Sequence, residues 1–239
     1  RASKTPLYSQ LKQIILEAIW SKELKSGDIF PSEEELSKLF QISKSTVRQC
    51  MSELAGENYV EKRRNRGTIV LSRKLDLGYS AKIVGFHERV KQMGMEPRTK
   101  LLHLSVSEAD RDDAALLQVQ NGSKVIRLIR LRYADNLPIV WIDSLLPYDD
   151  VYFIMGNNLE QKSLYDLLDQ HESSRIDSVL RKAYATESTK EMSKVFDIKE
   201  SSAMLTVETF AYNALGKIIE YSLSYSPGDR NQYSFTIKR

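Results

Sequence analysis

Residues 32–54 read SEEELSKLFQISKSTVRQCMSEL, and this stretch decides the fold of the first third of the chain. Ser32 followed by Glu35 predicts a capping box at the start of a short helix. Ser43 is a suitable N-cap for a second helix. The apolar residues at helical spacing on the inward side of that second helix are Val47, Cys50, Met51 and Leu54. Two helices joined by a tight turn predict a helix-turn-helix.

The sequence on either side of this motif extends it to a winged fold. Between Leu7 and Ile19, apolar residues recur at helical spacing after Pro6, which predicts a further helix ahead of the motif. Behind the motif, strand-like runs at residues 59–62 and 68–71 flank a basic turn. That turn consists of Arg63, Arg64, Asn65, Arg66 and Gly67. We therefore predict a winged helix-turn-helix domain over residues 1–72.

The charge distribution indicates a polyanionic partner for this domain. The chain has a net charge of +3, and all of this excess falls within residues 1–72. If the apolar side of the second motif helix packs inward, its other side can reach phosphates and base edges in a DNA major groove. The outward residues are Lys44, Ser45, Arg48 and Gln49. The basic turn, with Lys62, can grip phosphates or enter a minor groove. The alternative is a solvated basic loop on a helical bundle.

The remainder of the chain has a different pattern. Residues 73–82 fit neither helical nor strand periodicity and are predicted to be a linker. Strand-like runs lie near 98–106, 124–133, 139–146, 175–185, 203–213, 217–226 and 232–238. Helical runs lie near 86–93, 110–117 and 163–168. Successive strands with helices between them predict an α+β domain over residues 83–239 rather than a doubly wound parallel sheet.

Two arginines mark a candidate anion site in this second domain. Arg130 and Arg132 share one face of a strand, because side chains alternate along it. Two neighbouring guanidinium groups suit a phosphate or a carboxylate. The alternative is that both arginines pair with surface carboxylates, and spacing alone does not decide between the two. If the arginines were buried without partners, replacing both with Ala would stabilise the domain.

Other residues extend this candidate effector site. Amides at the start of a helix, with a glycine as N-cap, favour an anion, hydroxyls donate to it, and a carboxylate accepts from sugar hydroxyls. The residues that supply these groups are Gly85, Phe86, His87, Ser163, Tyr165 and Glu220.

Five segments of the first domain resemble one known family. They are Pro6-Leu7-Tyr8, Gly27-Asp28, Pro31-Ser32-Glu33, Ser43-Lys44-Ser45-Thr46-Val47-Arg48 and Arg66-Gly67-Thr68. They are similar to the winged helix of the GntR family of bacterial transcription regulators, over nearly all of residues 5–71. With the outward residues above, the resemblance implies DNA contacts by Ser32, Lys44, Ser45, Thr46, Arg48, Gln49, Arg63, Arg64, Arg66 and Gly67. The family usually has a basic DNA-contacting residue where this chain has Glu34.

The second domain resembles the UTRA effector-binding domain of the HutC branch of that family. The matching segments are Phe86, Gly94-Met95-Glu96-Pro97, Arg130-Leu131-Arg132-Tyr133, Pro138-Ile139, Ser163-Leu164-Tyr165, Glu220-Tyr221-Ser222 and Gly228-Asp229-Arg230. The resemblance implies a chorismate-lyase-like antiparallel sheet flanked by helices, a dimer, and a small ligand that is often a phosphorylated sugar. Two positions depart from sugar-phosphate-sensing relatives: Ile142 replaces an acidic residue, with Asp143 on the opposite face, and Ser226 replaces an aromatic one.

Several classes of site are not expected. Cys50 is the single cysteine, so no internal disulfide can form, and its inward position indicates a packed core thiol rather than a redox sensor. The three histidines lack metal-ligand spacing, and we expect no metal or other cofactor. The longest apolar run, residues 151–155, is too short to span a membrane. We expect a cytoplasmic protein without a membrane partner.

These observations predict a homodimeric, ligand-responsive transcription regulator. We expect a repressor that binds a pseudo-palindromic double-stranded DNA operator and is released by a small anionic effector, such as a sugar phosphate. One alternative is an effector-independent regulator whose second domain only dimerises. A lyase-like enzyme is a further alternative, although the sequence shows no nucleophile–base pair and no catalytic residues are predicted.

Overall fold

The computed structural model describes residues 6–21, 23–57, 59–64, 66–71, 75–76, 85–92 and 95–233. The chain divides into two units, Arg1–Lys74 and Leu75–Arg239. Each unit has its own β-sheet and its own buried apolar core.

The first unit contains three helices followed by a two-stranded wing. Its elements are α1 (Leu7–Trp20), α2 (Glu33–Phe40), α3 (Lys44–Gly56), β1 (Val60–Arg63) and β2 (Gly67–Val70). The two strands pair antiparallel. At the start of α2, the Ser32 hydroxyl accepts from the Glu35 amide, and the Glu35 carboxylate accepts from the Ser32 amide. The predicted helices, capping box and hairpin are therefore confirmed.

The core of the first unit lies where the three helices meet. Its most buried side chains include Leu11, Ile15, Leu36, Val47, Cys50, Leu54 and Tyr59. At the edge of this core, the Lys12 ammonium on α1 contacts the carboxylates of Glu53 on α3 at 3.2 Å and of Glu57, the C-cap of α3, at 2.6 Å. Cys50 is fully buried among apolar side chains, and burial raises the pKa of its thiol to about 12. The prediction of a packed core thiol is confirmed.

The second unit is built on a six-stranded antiparallel sheet. Its strands, in the order β4-β5-β6-β9-β8-β7, are β4 (Pro97–Glu108), β5 (Lys124–Ala134), β6 (Leu137–Pro147), β9 (Ile218–Pro227), β8 (Ala203–Tyr212) and β7 (Ser178–Glu187). A separate parallel pair joins β3 (Leu75–Asp76) to β10 (Asn231–Gln232). The helices are α4 (Phe86–Gln92), α5 (Arg111–Leu117), α6 (Tyr148–Val151), a 3₁₀ helix (Tyr152–Gly156), α7 (Leu164–Leu168) and α8 (Lys190–Phe196).

One face of this sheet is covered by the segment between β6 and β7. Ile126 and Leu128 of β5 pack against Val151, Ile154 and Leu164, which belong to α6, the 3₁₀ helix and α7. We call this side the helical face. It also carries Arg130 and Arg132, because residues two apart on a strand share a face.

The opposite face carries the alternate residues of β5. Val125 packs with Leu117 of α5, and Leu131 packs with Phe196 of α8. Helices therefore lie on both sides of the antiparallel sheet, and the predicted α+β class is confirmed.

A turn at Gly228-Asp229-Arg230 joins the end of β9 to the rest of the second unit. The Arg230 guanidinium donates to the carbonyl oxygens of Pro138 at 3.1 Å and Phe196 at 2.6 Å. A Cβ on Gly228 would lie 3.1 Å from the carbonyl oxygen of Ala203, so this close approach favours glycine. This segment, which carries part of the UTRA resemblance, therefore has a structural role.

Four features differ from the sequence expectations. Leu75–Asp76 lie within the predicted linker, but they form β3 in the second unit because their backbone pairs with β10. The rest of the predicted linker, residues 73–74 and 77–82, lies outside the described ranges. The apolar run 151–155 belongs to α6 and the 3₁₀ helix, and α8 was not predicted. Of the predicted last strand near 232–238, Gln232 is in β10, and residues from 234 onward lie outside the described ranges.

Within the described ranges, no helix has the length and apolar character to cross a membrane. Those same ranges contain no grouping of three or more His, Cys, Asp or Glu side chains suited to a metal ion.

We predict that the Cys50 thiol is unreactive in the folded protein. Raising its pKa from 9.0 to about 12 lowers the thiolate fraction on the order of a thousandfold near neutral pH. Titration with a chromogenic disulfide reagent should give almost no reaction in buffer and one thiol per chain in denaturant. Rapid stoichiometric labelling of the folded chain would contradict this prediction.

Candidate nucleic-acid interface and anion site

The first turn of α3 is fixed by its N-cap. The Ser43 hydroxyl accepts from the Thr46 amide at 3.1 Å and lies 2.7 Å from the hydroxyls of both Ser45 and Thr46. Val47 and Cys50 are fully buried, so the residues between them, Arg48 and Gln49, are exposed. With Lys44, these side chains form the outward surface that the sequence predicted.

Carboxylates of α2 contact the cations of this surface. Arg48 Nε donates to Glu33 Oε2 at 3.1 Å, and Lys62 Nζ of the wing lies 3.8 Å from the other oxygen of Glu33. Glu34 lies 3.3 Å from both Lys44 and Lys38. Lys38 and Lys44 lower the pKa of Glu34 by donating hydrogen bonds to its carboxylate. Where the resemblance implied a basic DNA-contacting residue, this chain therefore has a carboxylate that contacts two lysines.

The wing turn presents three exposed arginines. Arg63 donates its Nε to Glu61 at 2.7 Å, while Arg64 and Arg66 extend from the turn itself. Gly67 closes the turn with a φ of 80°, a conformation that favours glycine, and a Cβ there would lie 3.3 Å from the Ile29 side chain.

Ser32 has an additional role in the capping box. Its hydroxyl accepts from the Glu35 amide at 3.2 Å and donates to the Glu35 carboxylate at 2.8 Å. The Ser32 amide, and next the Ser32 hydroxyl, lower the pKa of Glu35 by donating hydrogen bonds to its carboxylate. The DNA contact expected from Ser32 stays a prediction, as do those expected from the other residues of this surface.

A buried ion pair lies at the centre of the helical face. Arg130 on β5 and Glu220 on β9 are each only 3% exposed, and their charged atoms are 3.7 Å apart. The hydroxyl of Ser144 on β6 accepts from Arg130 Nη2 at 3.2 Å and donates to Glu220 Oε1 at 2.7 Å. The Tyr165 hydroxyl also hydrogen-bonds to Glu220, and burial, followed by the charge of Glu220, raises the pKa of this tyrosine.

For Arg130, the structure decides the alternatives that spacing left open. Arg130 does not pair with a surface carboxylate, since its partner Glu220 is buried on the same face of the sheet. Arg130 is also not an unpartnered buried charge, so its replacement by Ala is not expected to stabilise the domain. Its Nε is nevertheless buried without a hydrogen-bond acceptor among the described residues, which leaves one donor for a further anionic or carbonyl group.

The start of α4 lies beside the second arginine. The guanidinium carbon of Arg132 lies 4.8 Å from the centre of the Phe86 ring, a cation–π contact. Phe86 meets His87 edge to face, and burial, followed by the charge of Arg132, lowers the pKa of His87. The Gly85 carbonyl accepts from the Arg89 amide, as expected of an N-cap.

Gly85 and the start of α7 are neighbours. A Cβ on Gly85 would lie 3.9 Å from the hydroxyl oxygen of Ser163. Ser163 precedes α7 without a side-chain capping bond, so its hydroxyl is not used by that helix. The structure thus brings together Gly85, Phe86, His87, Arg130, Arg132, Ser163, Tyr165 and Glu220, although their roles toward a ligand stay a prediction.

Sequence reasoning missed two polar groups of this cluster. Ser144 bridges the ion pair, and Arg181 of β7 lies close enough to Tyr165 to lower its pKa against the effect of burial. Because side chains alternate along a strand, Ser144 lies on the same face as Ile142. This alternation could have identified Ser144 from the sequence. No local signal identifies Arg181, because β7 joins the sheet at the far edge from β5.

The two atypical positions also lie on the helical face. Ile142 pairs with Arg130 across β5 and β6, and with Ser224 across β6 and β9. Ile142 and Ser226 are both buried. Asp143 is on the opposite face, as expected, where it forms a two-pronged ion pair with Arg127.

Two known domain families match successive parts of the sequence, one in each unit. The gntR family of bacterial regulatory proteins matches residues 7–70, and the UTRA domain matches residues 92–232. The UTRA match covers more than half of the chain, so the chain belongs to the UTRA-domain family, with a gntR-type helix-turn-helix before it. The resemblance read from the sequence is confirmed, and the family consists of transcription regulators rather than enzymes.

Full-length relatives support the same assignment. The HTH-type transcriptional repressor NagR of Bacillus subtilis (strain 168) is 26% identical over 98% of this chain and 95% of its own length. The mannosyl-D-glycerate transport/metabolism system repressor MngR of Escherichia coli (strain K12) is 27% identical over 97% of this chain and 95% of its own length. The crystal structure of PhnF from Mycobacterium smegmatis has the same fold, with a TM-score of 0.69 at 21% identity over 98% of this chain and 99% of that chain.

We predict that Arg130→Ala lowers the free energy of unfolding of the second unit by about 3–5 kcal/mol, because it leaves the Glu220 carboxylate buried without a charged partner. Denaturant unfolding can be followed by Trp141 fluorescence in a Trp20→Phe background, since these are the two tryptophans of the chain. Replacing the pair together, as Arg130→Met with Glu220→Leu, should recover part of the loss.

Arg127→Ala is the matched control. It removes an arginine from the same strand, but its side chain is 43% exposed, so we expect a loss of at most about 1 kcal/mol. Equal losses for the two single variants would show that the Arg130–Glu220 pair has no special role in stability.

Proposed function

We propose that this chain is a ligand-responsive repressor that binds a pseudo-palindromic operator as a homodimer and is released by a small anionic metabolite. The observation that carries the ligand part is the buried pair of Arg130 and Glu220, next to Arg132, on the helical face. The relatives NagR and MngR are repressors, which supports the direction of regulation.

The DNA-binding role is supported by the arrangement of exposed groups on the first unit. Gln49 and Arg48 lie on the outward side of α3, where an amide can read adenine and a guanidinium can read guanine. Lys44 at the helix start, and Arg64 and Arg66 on the wing, suit phosphates. A homodimer would place two such surfaces on two half-sites, which is why we propose a pseudo-palindromic operator.

The ligand class follows from the donors and acceptors of the helical face. Arg130, Arg132 and the amides at the start of α4 favour an anionic group, with Ser163 as a further hydroxyl donor. The Glu220 side chain offers oxygen acceptors, so it suits the hydroxyl groups of a sugar or polyol. MngR is the repressor of a mannosyl-D-glycerate system, and this supports a carbohydrate-derived anion.

The part of the ligand distant from the anionic group should differ from that of a plain amino-sugar phosphate. Ile142 is apolar, so it cannot pair with an amine or accept from a hydroxyl. Ser224 and Ser226 present small hydroxyls on the neighbouring strand. We therefore propose an anionic ligand with a compact apolar portion near Ile142.

For DNA binding, we predict that substitutions on α3 and on the wing change affinity in different ways. Arg48→Ala should weaken specific binding by about 1–3 kcal/mol, because it removes a base contact. Arg64→Ala should weaken binding to all sequences, because it removes a phosphate contact. It should also reduce the magnitude of the slope of log binding constant against log salt concentration by about one. Fluorescence anisotropy with an operator selected from a random DNA pool, and with a scrambled duplex, measures both. Unchanged operator affinity in both variants would argue against this surface.

For ligand binding, we predict that Arg132→Ala abolishes release from the operator without changing operator affinity, because Arg132 is outside the first unit. Calorimetry with sugar phosphates and their dephosphorylated forms should show binding of the phosphorylated forms only. Arg127→Ala, on the opposite face of the same strand, should respond like the wild type. Equal affinity for the two forms would contradict the phosphate assignment, and the absence of any ligand response would favour the effector-independent alternative.

A further inference from the structure

Glu33, at the first position of α2, connects α3 to the wing. One oxygen of its carboxylate accepts from Arg48 Nε at 3.1 Å, and the other lies 3.8 Å from Lys62 Nζ. Glu33 is also less exposed than either cation: its side chain is 32% exposed, against 71% for Arg48 and 82% for Lys62. A less exposed acidic group therefore contacts two more exposed basic ones.

These contacts cross a cavity of about 260 Å³ between α3 and the wing. Its lining includes Pro31, Glu33, Arg48, Val60, Lys62 and Thr68. Arg48 and Lys62 both line this cavity, and the Glu33 carboxylate contacts both of them. The relative position of the Arg48 and Lys62 side chains therefore depends on Glu33.

We propose that Glu33 is a positioning residue for base recognition by Arg48. A guanidinium is planar, and with Nε engaged by Glu33, its two terminal amino groups remain as the donor pair that matches O6 and N7 of guanine. Holding a long, exposed side chain in one orientation also lowers the entropy lost when it binds a base. This inference rests on the proposed function, in which Arg48 reads a base edge.

The neighbouring Glu34 provides a charge-matched comparison. It lies in the same helical turn, but its carboxylate contacts Lys38 and Lys44, each at 3.3 Å, and neither of the cations that Glu33 holds. Glu33→Gln and Glu34→Gln each remove one negative charge from the same surface. Both variants should therefore bind any DNA more tightly through the phosphates, whereas only Glu33→Gln should disturb Arg48.

The test compares the full-length chain and its variants on two duplexes, an operator selected by the wild type from a random pool and a scrambled duplex of the same composition. The readout is the ratio of the two dissociation constants, measured by anisotropy at several salt concentrations. Glu33→Gln should reduce this ratio by about threefold to fivefold, the size of effect of an exposed ion pair. Glu34→Gln should strengthen both affinities and leave the ratio unchanged.

A double-variant cycle with Arg48→Ala assigns the effect to the contact. In the Arg48→Ala background, Glu33→Gln should cause no further change in the ratio. If Glu33→Gln and Glu34→Gln give the same ratio while Arg48→Ala lowers it, the positioning role is overturned and Arg48 keeps its proposed reading role. The positioning role is also overturned if Glu33→Gln lowers the melting temperature but not the ratio, since that is the effect of a purely structural contact. If Arg48→Ala leaves operator affinity unchanged, its reading role fails, and the positioning role fails with it.

Discussion

The ion pair between Arg130 and Glu220 is the interaction on which the helical face depends. Both groups are buried, and a buried charge that loses its partner costs several kcal/mol. The Ser144 hydroxyl between them accepts from one and donates to the other, so three adjacent strands, β5, β6 and β9, contribute one group each. A slip of any of these strands by one residue would move its polar group to the opposite face. The polar cluster therefore favours one register of the central sheet and, at the same time, concentrates donors and acceptors where a ligand could use them.

In the first unit, by contrast, the cations are exposed and close together, so they repel one another. Carboxylates in the first turn of α2 are stabilised by the partial positive charge of the helix N-terminus, and that turn lies beside the start of α3 and the wing. Glu33 and Glu34 therefore partly neutralise Arg48, Lys62, Lys44 and Lys38. Partial neutralisation lowers the sequence-independent attraction to phosphates, which makes operator recognition depend more on contacts with base edges.

Local signals predicted most of the elements but few of the contacts. Caps such as Ser32 and Ser43, and the alternation that placed Arg130 with Arg132, act over a few residues and could be read directly. The partner of Arg130 could not be read in this way, since Glu220 lies 90 positions further along the chain and meets it only through the strand order β5-β6-β9. For the same reason, neither the contact of Arg48 with Glu33 nor the pairing of β3 with β10 could be predicted from local sequence. The four-residue helix α6 was missed because one turn does not establish a period, whereas α8 has the same length as the predicted α5 and was overlooked.

The composition of the helical face restricts the ligands that it can distinguish. An anion that approached Arg130 alone would also meet the Glu220 carboxylate, which repels it. A ligand that brings hydroxyl groups as well can donate to Glu220 while its anionic group contacts the arginines, so attraction and repulsion are both satisfied. His87 adds to this selection: burial and Arg132 lower its pKa, and a neutral imidazole offers one donor and one acceptor rather than a further positive charge. A simple inorganic anion lacks the hydroxyl donors, and an uncharged sugar lacks the group that Arg130 and Arg132 prefer. At the proposed ligand site, discrimination would therefore require both functions in one molecule, at a separation set by the distance from β5 to β9.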